Sequence, residues 1–113
     1  MFGFSKAQDP RDISAETLKA LVDSGDAIVV DVREAREFEA GHIPGAINLP
    51  LSTFSPAALP EPQGRKLILS CAAGARSARA LAACEAAHAE VDGHLAGGLG
   101  AWASAGLPVE TGA

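Results

Sequence analysis

Cys71, Arg76 and Ser77 are the residues whose types and spacing point most directly to chemistry. The cysteine follows a short apolar run, Leu67 to Ser70, and precedes a string of small residues, Ala72, Ala73, Gly74 and Ala75. Arg76 and Ser77 then open an alanine-rich segment with helical periodicity. That order predicts a buried strand, a tight loop and a helix N-terminus. A helix start presents unpaired N–H groups and a partial positive charge. A loop of small residues lets further N–H groups turn inward as an anion nest. A sulfur at the mouth of that nest is favoured as thiolate, and so is any anion built on it. Arg76, always charged, pushes the same way. A free thiol with a pKa of about 8.5 is only slightly ionised at neutral pH, whereas one lowered to roughly 6 is about 90% ionised. Cys71 is therefore a candidate nucleophile. The alternative is a cysteine that merely ends a core strand as a small hydrophobe.

The surrounding elements follow from local pattern. Met1 to Arg11 reads as a loose leader with a turn at Asp9-Pro10, followed by one domain over residues 12–110. Ser14 is placed to cap a helix, with Ile13 and Leu18 as its hydrophobic staple. Leu18, Leu21 and Val22 share a face, and Gly25 ends the helix. Ala27 to Val32 is a nearly unbroken apolar run suited to a central strand covered on both faces. Asp31 and Arg33 lie at its C-terminal end, where open α/β sheets place their sites. Glu34 to Ala40 predicts a short helix stopped by Gly41. A turn at residues 42–45, a short strand at Ala46 to Leu49 and a single helical turn at Leu51 to Phe54 follow. Pro56, Pro60 and Pro62 make Ser55 to Gly64 a surface connection.

After the strand at Leu67 to Ser70, a helix is expected from about Ser77 to about His88, with Leu81, Cys84 and His88 on one stripe. Val91 to Leu95 reads as a last strand interrupted by Gly93, and Gly97-Gly98 leads to a short helix carrying Trp102. Alternating strands and helices predict an α/β fold with a mainly parallel sheet.

Bulk composition narrows the function classes. A chain of 113 residues with 48% hydrophobic and 20% charged residues fits one globular domain. The net charge of -5 argues against nucleic acid or an anionic membrane as partner. No apolar run approaches a membrane span, and the start lacks the apolar core of a secretory signal. The two cysteines do not make a disulfide framework, which favours a cytoplasmic setting with reduced thiols.

Residues 71–77 resemble the active-site loop of the rhodanese family, in which a cysteine is followed by a short loop with a central glycine and a closing arginine-serine pair. Residues 31–50, running from Asp31-Val32-Arg33 through Gly41-His42-Ile43-Pro44-Gly45-Ala46 to Pro50, are similar to the family's upstream signature. Residues 95–108, containing Gly97-Gly98 and Trp102, resemble its C-terminal one. Three ordered motifs, together with the spacing between them, extend the resemblance over nearly all of the chain after Ile13. The resemblance implies a rhodanese-like fold, a mainly parallel five-stranded sheet with helices on both faces.

It also implies a sulfurtransferase that moves a sulfane sulfur from a donor, thiosulfate or a persulfide, to a thiophilic acceptor. The acceptor is cyanide, a small thiol or a protein thiol. Cys71 would carry the sulfur as a persulfide within the ring of N–H groups from Ala72 to Ser77. No cofactor or metal is called for, and no general base is evident. Ala72 and Ala73 depart from family members with polar or basic side chains there, so thiosulfate is expected to bind weakly.

Rival readings share the motif. Cysteine phosphatases and arsenate reductases need a cradle for a tetrahedral oxyanion, and the phosphatase loop is one residue longer than Ala72 to Ala75. A non-catalytic binding module or a partner-dependent sulfur carrier is the other alternative. Arg33 either binds the donor anion or pairs with a carboxylate such as Glu37 to hold the loop. Asp31 reads as a structural hydrogen-bonding residue. His42 is better explained by its turn than as a proton donor, Cys84 by the core, and Trp102 as an anchor for the last helix. His88 and His94 lack metal-ligand spacing.

Overall fold

The computed structural model describes residues 9–113. Five strands form one sheet: β1 (Asp12–Ile13), β2 (Ala27–Asp31), β3 (Ile47–Asn48), β4 (Lys66–Ser70) and β5 (Gly93–Leu95). Their spatial order is β1-β5-β4-β2-β3, and every pairing is parallel. Three helices connect strands, α1 (Ala15–Asp23), α2 (Ala35–Ala40) and α3 (Ala75–Ala86), and α4 (Gly98–Ser104) follows β5.

Strand alternation divides the core in two. Ile28, Val30, Leu67 and Leu69 face Ala80, Leu81 and Cys84 of α3. Val29 and Ile68 face the other way, toward Leu18 of α1 and Trp102 of α4. β2 and β4 are thus apolar at consecutive positions because both faces are covered. Each helix begins and ends where its residues dictate. Ser14 accepts the Thr17 N–H at 3.1 Å, capping α1. Trp102 donates its indole N–H to the Pro108 carbonyl at 2.7 Å, fastening α4 to the segment that follows.

Three expectations need correction. The helix after the cysteine loop begins at Ala75, capped by Gly74, not at Ser77. It ends at Ala86. His88, expected on its buried stripe, is exposed and left-handed at φ 57°. The Ala89 N–H reaches back to the Cys84 carbonyl and the His88 N–H to that of Glu85, so His88 occupies the left-handed stop of a Schellman ending. Gly93 does not interrupt β5 but begins it, because a side chain there would meet the Arg11 carbonyl oxygen at 2.3 Å. That close approach lets residues 11–13 pair along β5, so an edge strand follows directly on the expected leader. Its residues 1–8 lie outside the described residues.

Candidate active site

Positions 67, 69 and 71 point to one side of the sheet, so Cys71, just past the end of β4, directs its side chain toward α3. It is 1% exposed. The chain reverses through Ala72 and Ala73, and Gly74 turns to φ 111° to cap α3. The Gly74 N–H then lies 3.0 Å and the Ser77 N–H 3.3 Å from Cys71 Sγ. The Ala73 N–H also favours the thiolate form, and Ser77 Oγ lies 3.4 Å from the sulfur.

The loop's carbonyls are held the opposite way. Leu99 N–H donates to the Cys71 carbonyl at 2.8 Å and Gly100 N–H to that of Ala72 at 2.9 Å. The first turn of α4 therefore orients the peptide planes whose N–H groups converge on the sulfur. Ala72 contributes its carbonyl to this grip, while Ala75 opens α3.

The two buried cysteines behave oppositely. Burial is the largest influence on Cys71 and raises its thiol pKa. The bonds from the Ser77 hydroxyl and the N–H groups of Ser77, Gly74 and Ala73 together outweigh it, and the thiol titrates below its ordinary value. Cys84 packs in the same cluster, and burial alone pushes its thiol up. The arrangement favours a nucleophilic thiolate at Cys71 and an inert thiol at Cys84.

Arg76 does not act as a free charge beside the sulfur. Its guanidinium makes a bidentate pair with Glu37 of α2, at 2.8 and 3.0 Å. The pair ties the cysteine loop to α2, and the depressed thiol pKa rests chiefly on uncharged donors.

Arg76 and the Glu34 N–H hold the Glu37 carboxyl down at about 2, from an ordinary 4.5. A folded-state pKa below the unfolded one gives stability that is present above the unfolded value and lost as pH falls toward the folded one. Glu37→Gln is expected to lower the melting temperature at pH 7. The gap to wild type should close as pH drops from about 4.3 toward 2. Thermal melts across that range check it, and a pH-independent gap would contradict it.

Ser77 Oγ, on its far side from the sulfur, lies 2.8 Å from His94 Nδ1, and His94 Nε2 lies 3.0 Å from Asp12 Oδ1. Nothing in the sequence linked Asp12 or His94 to Cys71. The only available signal was that His94 immediately precedes the C-terminal motif, in a strand.

The family model for the rhodanese-like domain matches residues 14–105. The chain belongs to that family. It is 35% identical to a sulfurtransferase of Allochromatium vinosum over 87% of this chain and 92% of the relative. It is 42% identical to an uncharacterized protein of Synechocystis, matching 92% of this chain but spanning only 58% of that protein's length. Among solved structures, a rhodanese-related protein from Thermoplasma volcanium superposes with a TM-score of 0.76 at 30% identity, covering 88% of this chain and 97% of the other.

Within this rhodanese-like domain the remaining candidates take structural places. Arg33 pairs with Asp31 and not with the Glu37 carboxylate, which Arg76 occupies. Its guanidinium meets both Asp31 oxygens at 2.8 to 3.1 Å and donates to the carbonyls of Glu37 (3.2 Å) and Gly41 (2.6 Å). Asp31 is 2% and Arg33 5% exposed. A desolvated pair of this kind costs about 3–5 kcal/mol to break from one side. It fixes the end of α2, and α2 in turn presents Glu37 to Arg76, so Arg33 supports the loop at one remove.

His42 stacks on Phe38 with ring centroids 3.8 Å apart, and its Nδ1 lies 2.7 Å from the Phe38 carbonyl oxygen. It also pairs backbone to backbone with Glu110, bonding the segment after α4 to the turn after α2. Among the described residues no helix is long and apolar enough to cross a membrane.

Proposed function

We propose that this domain is a sulfurtransferase in which Cys71 takes a sulfane sulfur from a donor, holds it as a persulfide and passes it to a thiophilic acceptor. The observation that carries the reading is the convergence of two N–H groups and one hydroxyl on a single sulfur atom. The Cys71 thiolate attacks the outer sulfur of the donor. The new S–S bond forms as the donor's own sulfur bond breaks, and the leaving group keeps that electron pair. A thiolate or cyanide then attacks the outer sulfur of the Cys71 persulfide and returns the thiolate. Two enzyme forms alternate, so the kinetics are ping-pong.

The donor side favours an organic persulfide over thiosulfate. The loop side chains are alanines, and the nearby guanidinium is already paired with Glu37. A dianion therefore meets little uncompensated charge, whereas a singly charged persulfide needs less. The acceptor is a small thiol or a protein thiol. With only Ala72 to Ala75 between Cys71 and Arg76, and their donors turned onto Sγ, the loop suits one sulfur better than a tetrahedral oxyanion.

Intact-protein mass after brief exposure to glutathione persulfide, or to thiosulfate, tests both parts. One added sulfur that maps to Cys71 and is stripped by cyanide is expected, more readily from the persulfide. No gain from either donor would overturn the transfer reading. A low KM for thiosulfate would overturn the donor preference alone.

A further inference from the structure

The Cys71 sulfur stands at one end of a continuous file of hydrogen-bonding groups that leads to the edge of the sheet. Ser77 Oγ lies 3.4 Å from Cys71 Sγ, His94 Nδ1 lies 2.8 Å from Ser77 Oγ, and Asp12 Oδ1 lies 3.0 Å from His94 Nε2. Ser77 and His94 are 0% and 8% exposed, whereas the Asp12 side chain is 32% exposed. We propose that His94, oriented by Asp12 and acting through the Ser77 hydroxyl, takes up the proton that Cys71 loses and keeps it while the sulfur is charged.

The chemistry of each group fixes the direction of the file. A carboxylate only accepts, so His94 Nε2 carries a hydrogen and donates it to Asp12. In the neutral ring Nδ1 is then bare and accepts. The Ser77 hydroxyl has one hydrogen and two candidate acceptors, His94 Nδ1 at 2.8 Å and the Gly74 carbonyl at 3.2 Å. The shorter contact is to the imidazole. The serine oxygen is left with a lone pair facing the Cys71 thiol. The file therefore reads S–H to Oγ, O–H to Nδ1, Nε2–H to carboxylate.

Passing one proton along it reverses the first two bonds. The Ser77 hydroxyl then donates to the thiolate, and Nδ1–H donates to Ser77 Oγ. Nothing else changes and no co-reactant is consumed. Charging by a persulfide donor moves a sulfur between two anions, so the proton stays on His94 until the free thiol is restored or leaves with solvent at the Asp12 end.

The imidazole has few other charged neighbours. Asp12 faces it from β1, and Asp9 lies in the turn before β1. Asp9 is itself paired with Arg11, which reaches Glu85 of α3. β4 presents Leu69 beside it, and the cysteine loop presents Gly74.

His94 and Asp12 are thus positioning residues for the nucleophile that the proposed transfer requires, and the proposal rests on that reading. Its test does not depend on transfer. The rate of Cys71 alkylation by iodoacetamide against pH reports thiolate directly. His94→Asn and, as the milder change at the sheet edge, Asp12→Asn are expected to move the midpoint upward. A displacement of about one unit corresponds to nearly a tenfold loss of alkylation rate well below the midpoint. The nitrogen chemical shifts of the His94 ring should show Nδ1 gaining a proton as the thiol ionises in wild type, and losing that dependence in Cys71→Ser. Superimposable alkylation profiles for both folded variants, or His94 shifts indifferent to the sulfur, would overturn the relay. In that event the persulfide mass gain in wild type would still stand or fall on its own.

Discussion

Cys71→Ser is expected to abolish sulfur transfer, by at least about a thousandfold, while leaving the fold intact. The serine hydroxyl can accept the same N–H groups that meet the sulfur from Gly74 and Ser77. It is not ionised at neutral pH, however, and it cannot form a persulfide. The cost in stability is that of one small buried replacement, on the order of 1 kcal/mol. Thiocyanate release with an organic persulfide donor, read beside a thermal melt, separates two roles for the residue. Lost transfer with a nearly unchanged melt makes Cys71 the nucleophile. Retained transfer with a large fall in melting temperature would make Cys71 a core residue and exclude it as the nucleophile.

The second large effect is at Gly98. It begins α4 at φ 59° and lies against the cysteine loop, where a side-chain carbon would stand 2.4 Å from the Cys71 carbonyl oxygen and 2.6 Å from the Ala72 carbonyl carbon. These are backbone atoms, so relief requires moving either the loop or the helix. Gly98→Ala therefore combines a left-handed penalty of about 1–2 kcal/mol with displacement of the turn that holds the loop's carbonyls. We expect a fall in melting temperature of roughly 10 °C or more, together with slower Cys71 alkylation at neutral pH. Gly106→Ala is the control. It has φ 76° with nothing within 4 Å of the added carbon, so it carries the conformational penalty alone. Equal melting temperatures for the two variants would show that the contact with the loop is not what Gly98 secures.

The elements were legible wherever a short stretch carried its own instruction. Ser14 before an amphipathic run, the apolar series at residues 27–32 and 67–70, and the small residues after Cys71 each act on near neighbours. Alternation and capping are local rules, and they sufficed for the strands on either side of the site. Position 71 follows the parity of 67 and 69, so the direction of the sulfur was implicit too.

Partners across the fold were not legible. Glu37 and Arg76 stand 39 residues apart and Asp12 and His94 82 apart, and no periodicity relates such pairs. Arg33 keeps the carboxylate pairing expected of it, but Glu37, the carboxylate offered as its example, goes to Arg76 for that reason. Glu37 is four residues away and on the adjoining helix, a plausible match in one dimension, but Arg76 arrives there from α3. Asp31, two residues back at the end of β2, then takes Arg33 through both of its carboxylate oxygens. β1 escaped notice because two residues leave no pattern, and its place is fixed by Gly93, far along the chain.

The grip of α4 on the cysteine loop bears on the order in which the molecule is made. Cys71 leaves the site of synthesis well before Leu99 and Gly100, whose N–H groups hold its loop, and before His94, whose partner Asp12 has waited since the beginning. Pairing of β1 with β5 spans nearly the whole domain and closes late for reasons of chain entropy. The loop's peptide planes gain their outer grip only when the last helix docks, so we expect a nascent or truncated polypeptide to present a less activated thiol than the finished domain.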